Sequence, residues 1–559
     1  MLLASLGAHL WGITHDLPVP EVDERYFVRP AAYMAANGTW NPHWFGHPGS
    51  TVIYPLAAIF RAREVLFHGG PLTGASPSIA RRLRTDTESF LLIGRFLALL
   101  AGVAAIPVVF AIGRKVFDDV TGLAAAAIWA VAPLAVRYGQ VTRTDSVGLL
   151  VALLTLLLCL RALEVPTTAR FAAAGVMAGL GVATRYFLVA LAVVIVATAI
   201  MSGPARRLRH AGVALGAMAM TFVLTTPYLV LDFARAWPTV RQEASPGDAR
   251  QTSGFVANLA FYLVHAIPGG VSWVVFPVAL AGLVLTVRSL TPGRTLLLVW
   301  LGTLVLGVSA VSFHWDRWIL PALPVVALLA AHAVVTAARR LGASARGRWR
   351  SRSWFVPAAT VVLVLGVMVA PAASVVRADL ASARPSTRYQ AQMWLEHHVA
   401  PADGVASEVN GPDLTDTAFR FVEHHALPQA GSLAQYAAAG FRYLVVNHNI
   451  ARQYLGDAAG APSEAAFYRY LRTHVRRAAS FHPTSTRDGA PLTVYDLGPD
   501  PTALVGRPDL PGGSRPNPSA RARDRVLASG AIPVVECALR RLAATPRHPA
   551  PRCVTRRTG

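Results

Sequence analysis

The sequence predicts an α-helical polytopic membrane protein of about eleven spans, with a small extracytoplasmic α/β domain near its C-terminal end. Three observations carry this. AVILMFWYC make up 53% of 559 residues while only 15% are charged, and the mean hydropathy is +0.43, too apolar for an ordinary soluble chain. Apolar runs of spanning length recur up to residue 376, and beyond it the pattern changes to short helices alternating with short strands.

The first apolar segment, 1–13, is shorter than the roughly 20 residues a crossing helix needs and lacks the basic region of a signal peptide. It is expected to be a first helix that is truncated or tilted. Further spans are expected at 90–112, 121–136, 147–160, 171–183, 187–201, 211–231, 264–287, 296–312, 318–338 and 355–376. Pro107 and Pro133 are read as helix kinks. The segment 50–66 is short, contains Pro55 and ends in Arg61, Arg63 and Glu64, so it is expected to be an amphipathic interfacial helix.

Loop charge sets the expected orientation. Arg114-Lys115, Arg161 with Arg170, Arg206-Arg207-Arg209, Arg288 with Arg294, and the cluster at 339–352 fall on every second connection, which marks the cytoplasmic side. The first loop (14–89), the connections at 138–144, 232–251 and 314–317, and everything after 376 are then extracytoplasmic, provided the first segment crosses. The expected location is a plasma or inner membrane. The formal charge of +22 does not point to nucleic acid, because the basic residues lie between spans and in the tail. Cys159, Cys537 and Cys553 have no metal-ligand spacing.

The domain expectation is a membrane domain at 1–376, a soluble α/β domain at 377–498 and a Pro/Arg-rich disordered tail at 499–559. Within the soluble part, 388–398 and 464–477 read as helices, and 404–408, 441–447 and 492–497 as strands.

Candidate chemistry gathers on the outer side. Asp23-Glu24 lies in the first loop, followed by Tyr26, Tyr33, Trp40, Trp44 and Tyr54. Arg95 lies inside the second span, and Arg143, Arg185 and Arg317 lie at outer turns. A charge at a helix centre costs about 2.5–3.5 kcal/mol, so it is retained for a reason. The guanidinium fork matches phosphate oxygens, although snorkelling to lipid headgroups also explains an arginine at a span end. Asp145 is a candidate acceptor or sugar contact and also a helix cap. His314 precedes Arg317 by one helical turn, and His43 and His47 share i, i+4 spacing with Trp40 and Trp44. These aromatics line a sugar or acceptor site or simply anchor the loop at the interface.

Taken in order, several strings resemble the GT-C type of membrane glycosyltransferase that uses polyprenyl-phosphate sugars. They are Asp23-Glu24, Gly94-Arg95-Phe96, Ala132-Pro133, Arg143-Thr144-Asp145, Ala183-Thr184-Arg185-Tyr186, Thr226-Pro227-Tyr228-Leu229-Val230-Leu231-Asp232 and Arg317-Trp318-Ile319-Leu320-Pro321. The branch resembled is glycosyltransferase family 39, with protein O-mannosyltransferases and the bacterial transferase of aminoarabinose to lipid A. Thr387-Arg388 with Ala391 and Trp394-Leu395 resembles the start of the soluble domain of bacterial members. The chain departs from the pattern in its truncated first helix and in Arg185, where many relatives have Lys.

The resemblance implies a GT-C-like bundle and inverting sugar transfer to a lipid, glycan or protein acceptor. It implies Asp23 as the base, tuned by Glu24 or sharing a divalent cation with it, with Asp145 as a further oxygen ligand for Mg or Mn. The donor phosphate falls to Arg143 and Arg185, with Arg95, Arg317 and His314 as further candidates, and Asp145, Trp44, His47 and Tyr26 as sugar or acceptor candidates. The expected partners are the lipid-linked donor, the acceptor and membrane lipids. A lipid-linked sugar carrier or flippase remains the alternative from another class, and a polysaccharide polymerase or ligase shares the donor. A carrier calls for polar residues near mid-bilayer and broken, repeated helices.

Overall fold

The computed structural model describes residues 2–243, 253–344, 354–414, 417 and 419–500, together with Leu539. Nearly all of the expected tail lies outside the described residues. The chain forms two compact units. The first comprises 1–13, 26–79 and 89–377, and the second 14–25, 80–88 and 378–559.

The first unit is a helical bundle. Its helices begin with α1 (Leu2–Trp11), α2 (Arg25–Asn37) and α3 (Ser50–His68); α4 (Pro77–Thr85), most of which belongs to the second unit, precedes the first long span, α5 (Thr87–Val116). Then come α6 (Asp119–Trp129), α7 (Pro133–Gly139), α8 (Asp145–Glu164), α9 (Thr168–Thr184), α10 (Leu191–Met201), α11 (Arg207–Thr225), α12 (Pro227–Leu231) and α13 (Phe233–Glu243). The remainder are α14 (Phe255–Phe261), α15 (Ile267–Val271), α16 (Val275–Val287), α17 (Pro292–Ser309), α18 (Leu323–Ser344) and α19 (Phe355–Ala381).

Each expected span is a helix or a bent helix pair, but length and composition do not support eleven crossings. Six helices among the described residues are long and apolar enough, or up to eight if the pairs bent by 60° and 110° each count as one span. The α6–α7 pair bends where Pro133 opens α7, as a helix-starting proline should. Pro107, by contrast, lies within the unbroken α5. The shorter apolar segments Thr168–Thr184 and Tyr186–Met201 reach about 26 Å or less at 1.5 Å per residue, against a hydrocarbon core of roughly 30 Å. The ten residues of α1 span less still. This helix nonetheless packs into the bundle: Gln140 Nε2 donates to the Ala8 carbonyl at 3.0 Å, and the buried His9 lies against Gly102 and Gly139.

Burial separates inner from outer helices. The apolar window of Asp316–Ala343 is 83% buried, whereas those of Arg207–Thr225 and Phe355–Ala381 are 17% and 22% buried. The exposed side chains of the outer pair include Met220, Leu224, Val362, Leu365 and Val369. Apolar surface on that scale belongs in lipid rather than water, and the bundle is that of a multi-pass membrane protein. Close packing relies on small residues. A side chain at Gly282 would lie 1.8 Å from the Leu329 carbonyl oxygen, and one at Gly175 would lie 2.1 Å from that of Ala214.

Helix α3 covers the expected interfacial segment. It buries one face through Val52, Ile53, Leu56 and Phe60, and Phe60 meets Phe90 at 4.6 Å between ring centroids.

The C-terminal part of the second unit contains α20 (Thr387–His398), β1 (Gly404–Glu408), β2 (Arg420–His424), α21 (Leu427–Ala430), α22 (Leu433–Ala438), β3 (Phe441–Asn447), α23 (His448–Gly456), α24 (Pro462–His474), β4 (Arg476–Phe481) and β5 (Leu492–Asp496). The strands form one sheet in the order β2-β1-β3-β5-β4, parallel across β2-β1-β3 and antiparallel across β3-β5-β4. Alternate residues feed opposite faces: Ala406, Leu444, Val446 and Tyr495 pack in one cluster, and Val405, Tyr443, Val445 and Val494 in the other. Two strands were not expected. The helix expected over 464–477 ends at His474, and Arg476-Arg477 open β4 because pairing with β5 outweighs their helix propensity.

Candidate functional site

Two guanidinium groups meet one carboxylate in the bundle. Asp145 is the first residue of α8, and Arg185 joins α9 to the following 3₁₀ turn, Tyr186–Ala190. Arg143 Nε donates to Asp145 Oδ2 at 3.2 Å, and Arg185 Nη1 lies 3.1 Å from Asp145 Oδ1. Arg185 Nε also donates to Thr144 Oγ1 at 2.8 Å. All three charged side chains are at least 95% buried. Asp145 is the carboxylate both guanidinium groups share, and removing it would take that counter-charge from two buried cations. The cap expected of Asp145 is not made: Thr144 holds the cap position, without a side-chain cap bond, and the Asp145 carboxylate serves the arginines.

Aromatic rings support both cations. Arg143 stacks over Tyr138 at 5.6 Å and Arg185 over Phe187 at 5.5 Å. Tyr138 extends the network by donating to Asp316 Oδ1 at 3.1 Å, and Arg137 Nη1 lies 3.8 Å from Asp316 Oδ2. Arg317 takes its backbone hydrogen bond from its own N–H to Asp316 Oδ1 at 2.7 Å, and its guanidinium covers the Trp315 ring at 4.6 Å. The turns before α8, after α9 and before α18 therefore share one polar layer. Tyr138 and Asp316 belong to it although sequence reasoning had not selected them. Their link joins residues 178 apart, which no local pattern reveals.

Arg95 and His314 fit this layer differently from the expectation. Arg95 is buried in α5 and donates to the Ile13 carbonyl at 2.8 Å, an anchor for the end of the first segment. His314 Nδ1 lies 2.7 Å from Asn258 Oδ1, and its ring stacks on Phe261 at 3.9 Å. Asn258 in turn donates to the carbonyls of Ser309 and Val311. This is the arrangement of a histidine that holds loops together.

The first-loop aromatics gather as a packed cluster. Trp44 is buried and lies 5.8 Å from Tyr26, 5.5 Å from Phe27 and 5.6 Å from His47 between centroids. The chain just after Trp44 is seated on the turn that carries Arg185. Tyr186 donates its hydroxyl to Phe45 O at 3.0 Å, Gly49 N–H reaches Thr184 O, and the Thr51 and Thr184 hydroxyls lie 2.8 Å apart. Gly49 has φ +58°, a conformation that suits glycine, and a side chain there would press on Phe27 and Ile53. Trp44 and His47 thus lie in the loop that covers Arg185. A second seam ties this loop to the start of α13: Asn41 Nδ2 donates to Asp232 Oδ2 at 3.0 Å, and His43 Nδ1 lies 3.5 Å from the same oxygen.

Asp23 and Glu24 belong to the second unit. They form a compact acidic turn in which Glu21 N–H donates to Glu24 Oε2 at 2.8 Å and Asp23 N–H to Glu21 Oε2 at 3.2 Å. Glu24 is fully buried and helps to shape the turn, whereas Asp23 is partly exposed.

The donor set expected for a divalent cation, Asp23 and Glu24 with Asp145, does not fit one. The Asp145 carboxylate is flanked by two guanidinium groups that repel a cation, and Glu24 commits an oxygen to its own turn. Among the described residues no group of three or more His, Cys, Asp or Glu side chains is placed to hold a metal ion.

Comparison with known proteins adds the following. Residues 87–231 match the family model described as dolichyl-phosphate-mannose-protein mannosyltransferase. No curated protein sequence matches the chain. Among solved structures, apo ArnT from Cupriavidus metallidurans aligns over 90% of this chain and 98% of its own, at 13% identity and a TM-score of 0.55. The same protein bound to undecaprenyl phosphate aligns over 90% and 99%, at 14% identity and a TM-score of 0.50. The oligosaccharyltransferase of Archaeoglobus fulgidus, in complex with Zn and sulfate, aligns over 83% of this chain and 70% of its own, at 14% identity and a TM-score of 0.49. The chain is similar to GT-C membrane glycosyltransferases and shares the fold of ArnT.

Proposed function

We propose that this protein is an integral-membrane inverting glycosyltransferase that moves a hexosyl or pentosyl unit from a polyprenyl-phosphate donor to a lipid, glycan or protein acceptor on the extracytoplasmic face. The observation that carries the reading is the buried Arg143–Asp145–Arg185 trio under the first loop, within the stretch that matches the mannosyltransferase family model. The undecaprenyl phosphate bound to ArnT is a ligand of the chemical class this trio would serve.

In the proposed reaction the Asp23 carboxylate removes the proton from an acceptor hydroxyl as its oxygen attacks the anomeric carbon. The bond from that carbon to the phosphate oxygen breaks, and its electron pair leaves with the oxygen. The product phosphate carries one more negative charge than the donor diester. Arg143 and Arg185 stabilise that developing charge, which is why their orientation by Asp145 matters. Arg317 and the Tyr138–Asp316 pair support the same layer.

The test is a purified-protein assay with synthetic polyprenyl-phosphate sugars, scoring release of polyprenyl phosphate and the anomeric configuration of the product. Inverted product on an external acceptor is expected. Retained configuration, or movement of intact donor across a bilayer without transfer, contradicts the proposal. Accessibility of a cysteine placed at Glu21 to an impermeant reagent from outside the cell tests the orientation.

A further inference from the structure

Residues 14–25 belong to the same compact unit as the C-terminal α/β fold, and named bonds show how. Asp16 Oδ1 accepts the backbone N–H of Ser386, the residue that caps α20, at 2.7 Å. Arg388 Nη1 donates to the Pro20 carbonyl at 3.0 Å while its Nε donates to Gly411 O at 2.8 Å, in the loop after β1. Arg25 Nη2 donates to Glu423 Oε2 at 2.5 Å, on the edge strand β2, and Arg25 Nη1 lies 4.0 Å from Asp413 Oδ1. These ties bracket the acidic turn on both sides. The Arg25 side chain is 12% exposed and its partners Asp413 and Glu423 are 4% and 19% exposed, so the ion pair is well shielded from solvent. A shielded, charge-assisted bond of this kind fixes geometry.

We propose that the α/β fold positions the acidic turn, with Glu423 acting through Arg25 to hold Asp23 and Glu24 in their working conformation. The role in catalysis rests on the reading of Asp23 as the base. Glu423 touches no reacting atom in this account; it is a positioning residue, and a general base displaced by about 1 Å loses much of its effect. The α/β fold then contributes to the rate of transfer, beyond any contact with an acceptor.

Two measurements on the full-length protein in detergent test this. Amide hydrogen exchange reads the turn directly: Glu423→Ala is expected to speed exchange at Glu21, Asp23 and Glu24 by about tenfold or more, while amides in β1 and β3 stay protected. Steady-state transfer with a synthetic polyprenyl-phosphate sugar is expected to show kcat lowered by about tenfold with donor KM nearly unchanged, and Glu423→Asp is expected to recover part of the loss. Because Glu423 acts through Arg25, the Arg25→Ala/Glu423→Ala double variant is expected to be no slower than Arg25→Ala alone. If Glu423→Ala exposes β1 and β3, the shape-preserving Glu423→Gln replaces it in both measurements. Unchanged exchange across 16–25 overturns the clamp. Faster exchange with unchanged kcat overturns its role in catalysis. If the wild type transfers no sugar, the proposed function fails, and the exchange arm still decides whether the clamp exists.

Discussion

The arginine layer of the bundle and the acidic turn of the second unit are held in opposite ways. Arg143 and Asp145 are two residues apart, and Arg185 reaches them from the adjoining end of α9, so the layer depends on neighbouring helices of the bundle. The segment around the acidic turn depends on partners some 370 to 400 positions away: Ser386 at Asp16, Arg388 at Pro20 and Glu423 at Arg25. A charged group on a spanning helix needs a buried partner, a counter-charge as at Asp145 or a carbonyl as at Arg95. The acidic turn is instead fixed by distant chain that comes to meet it. The first arrangement is set by the helical bundle, and the second by the α/β fold.

That contrast orders the expected effects. Arg185→Ala removes one arm of the phosphate cradle and leaves Asp145 with less compensation, so kcat should fall by about 10²–10³. Arg185→Lys, keeping charge without the fork, should recover part of that loss in the same assay. If Arg185→Ala instead binds and turns over donor normally, the layer is structural and the contrast collapses. Next in size is Tyr138→Phe, which deprives Asp316 of a donor at 3.1 Å. It should cost roughly 1 kcal/mol of stability and a few-fold in turnover, measured by thermal unfolding and steady-state rate.

The smallest expected effect lies in the α/β fold. Glu408 is fully buried at the end of β1 and accepts hydrogen bonds from the Tyr468 hydroxyl at 2.5 Å, Asn447 N–H at 2.7 Å and Leu427 N–H at 3.1 Å. Burial pushes its carboxyl up to about 7, against the opposing pull of these donors. The sign follows from the raised value. The unfolded chain releases this proton first, so the contribution of Glu408 to stability is intact below an ordinary glutamate's pKa and is lost as pH rises through about 7. Thermal unfolding of the α/β unit should weaken over that interval by at most roughly 3 kcal/mol, and Glu408→Gln should flatten the slope. A slope unchanged by the substitution would remove Glu408 as its source.

Much of this was legible in the sequence because membrane physics writes long signals. Apolar runs marked the long helices of the bundle but not α2, α4, α13 or α14, and Arg95, Arg143 and Arg185 stood out as charges at places where charge is costly. Strands β1, β3 and β5 were visible as short buried runs. The edge strand β2 is half exposed, and β4 opens with Arg476-Arg477 and alanines that suit a helix equally well, so only pairing defines them. Length and composition alone do not set the crossing number, because several apolar runs are short or bent. The residues of the buried trio were legible as candidates by type, but their contacts were not. Asp145 reads as a cap until Arg185 is seen beside it, and nothing near Tyr138, Asp316 or Glu423 in the sequence announces partners hundreds of residues away.

The central claim is sugar transfer with Asp23 as the base, and one comparison tests it most directly. Purified wild type and Asp23→Asn are given the same synthetic polyprenyl-phosphate sugar and acceptor, with donor binding measured alongside. The account predicts that the substitution lowers kcat by about 10²–10⁴ while donor binding, assigned to Arg143 and Arg185, persists. Transfer by Asp23→Asn at the wild-type rate would contradict it.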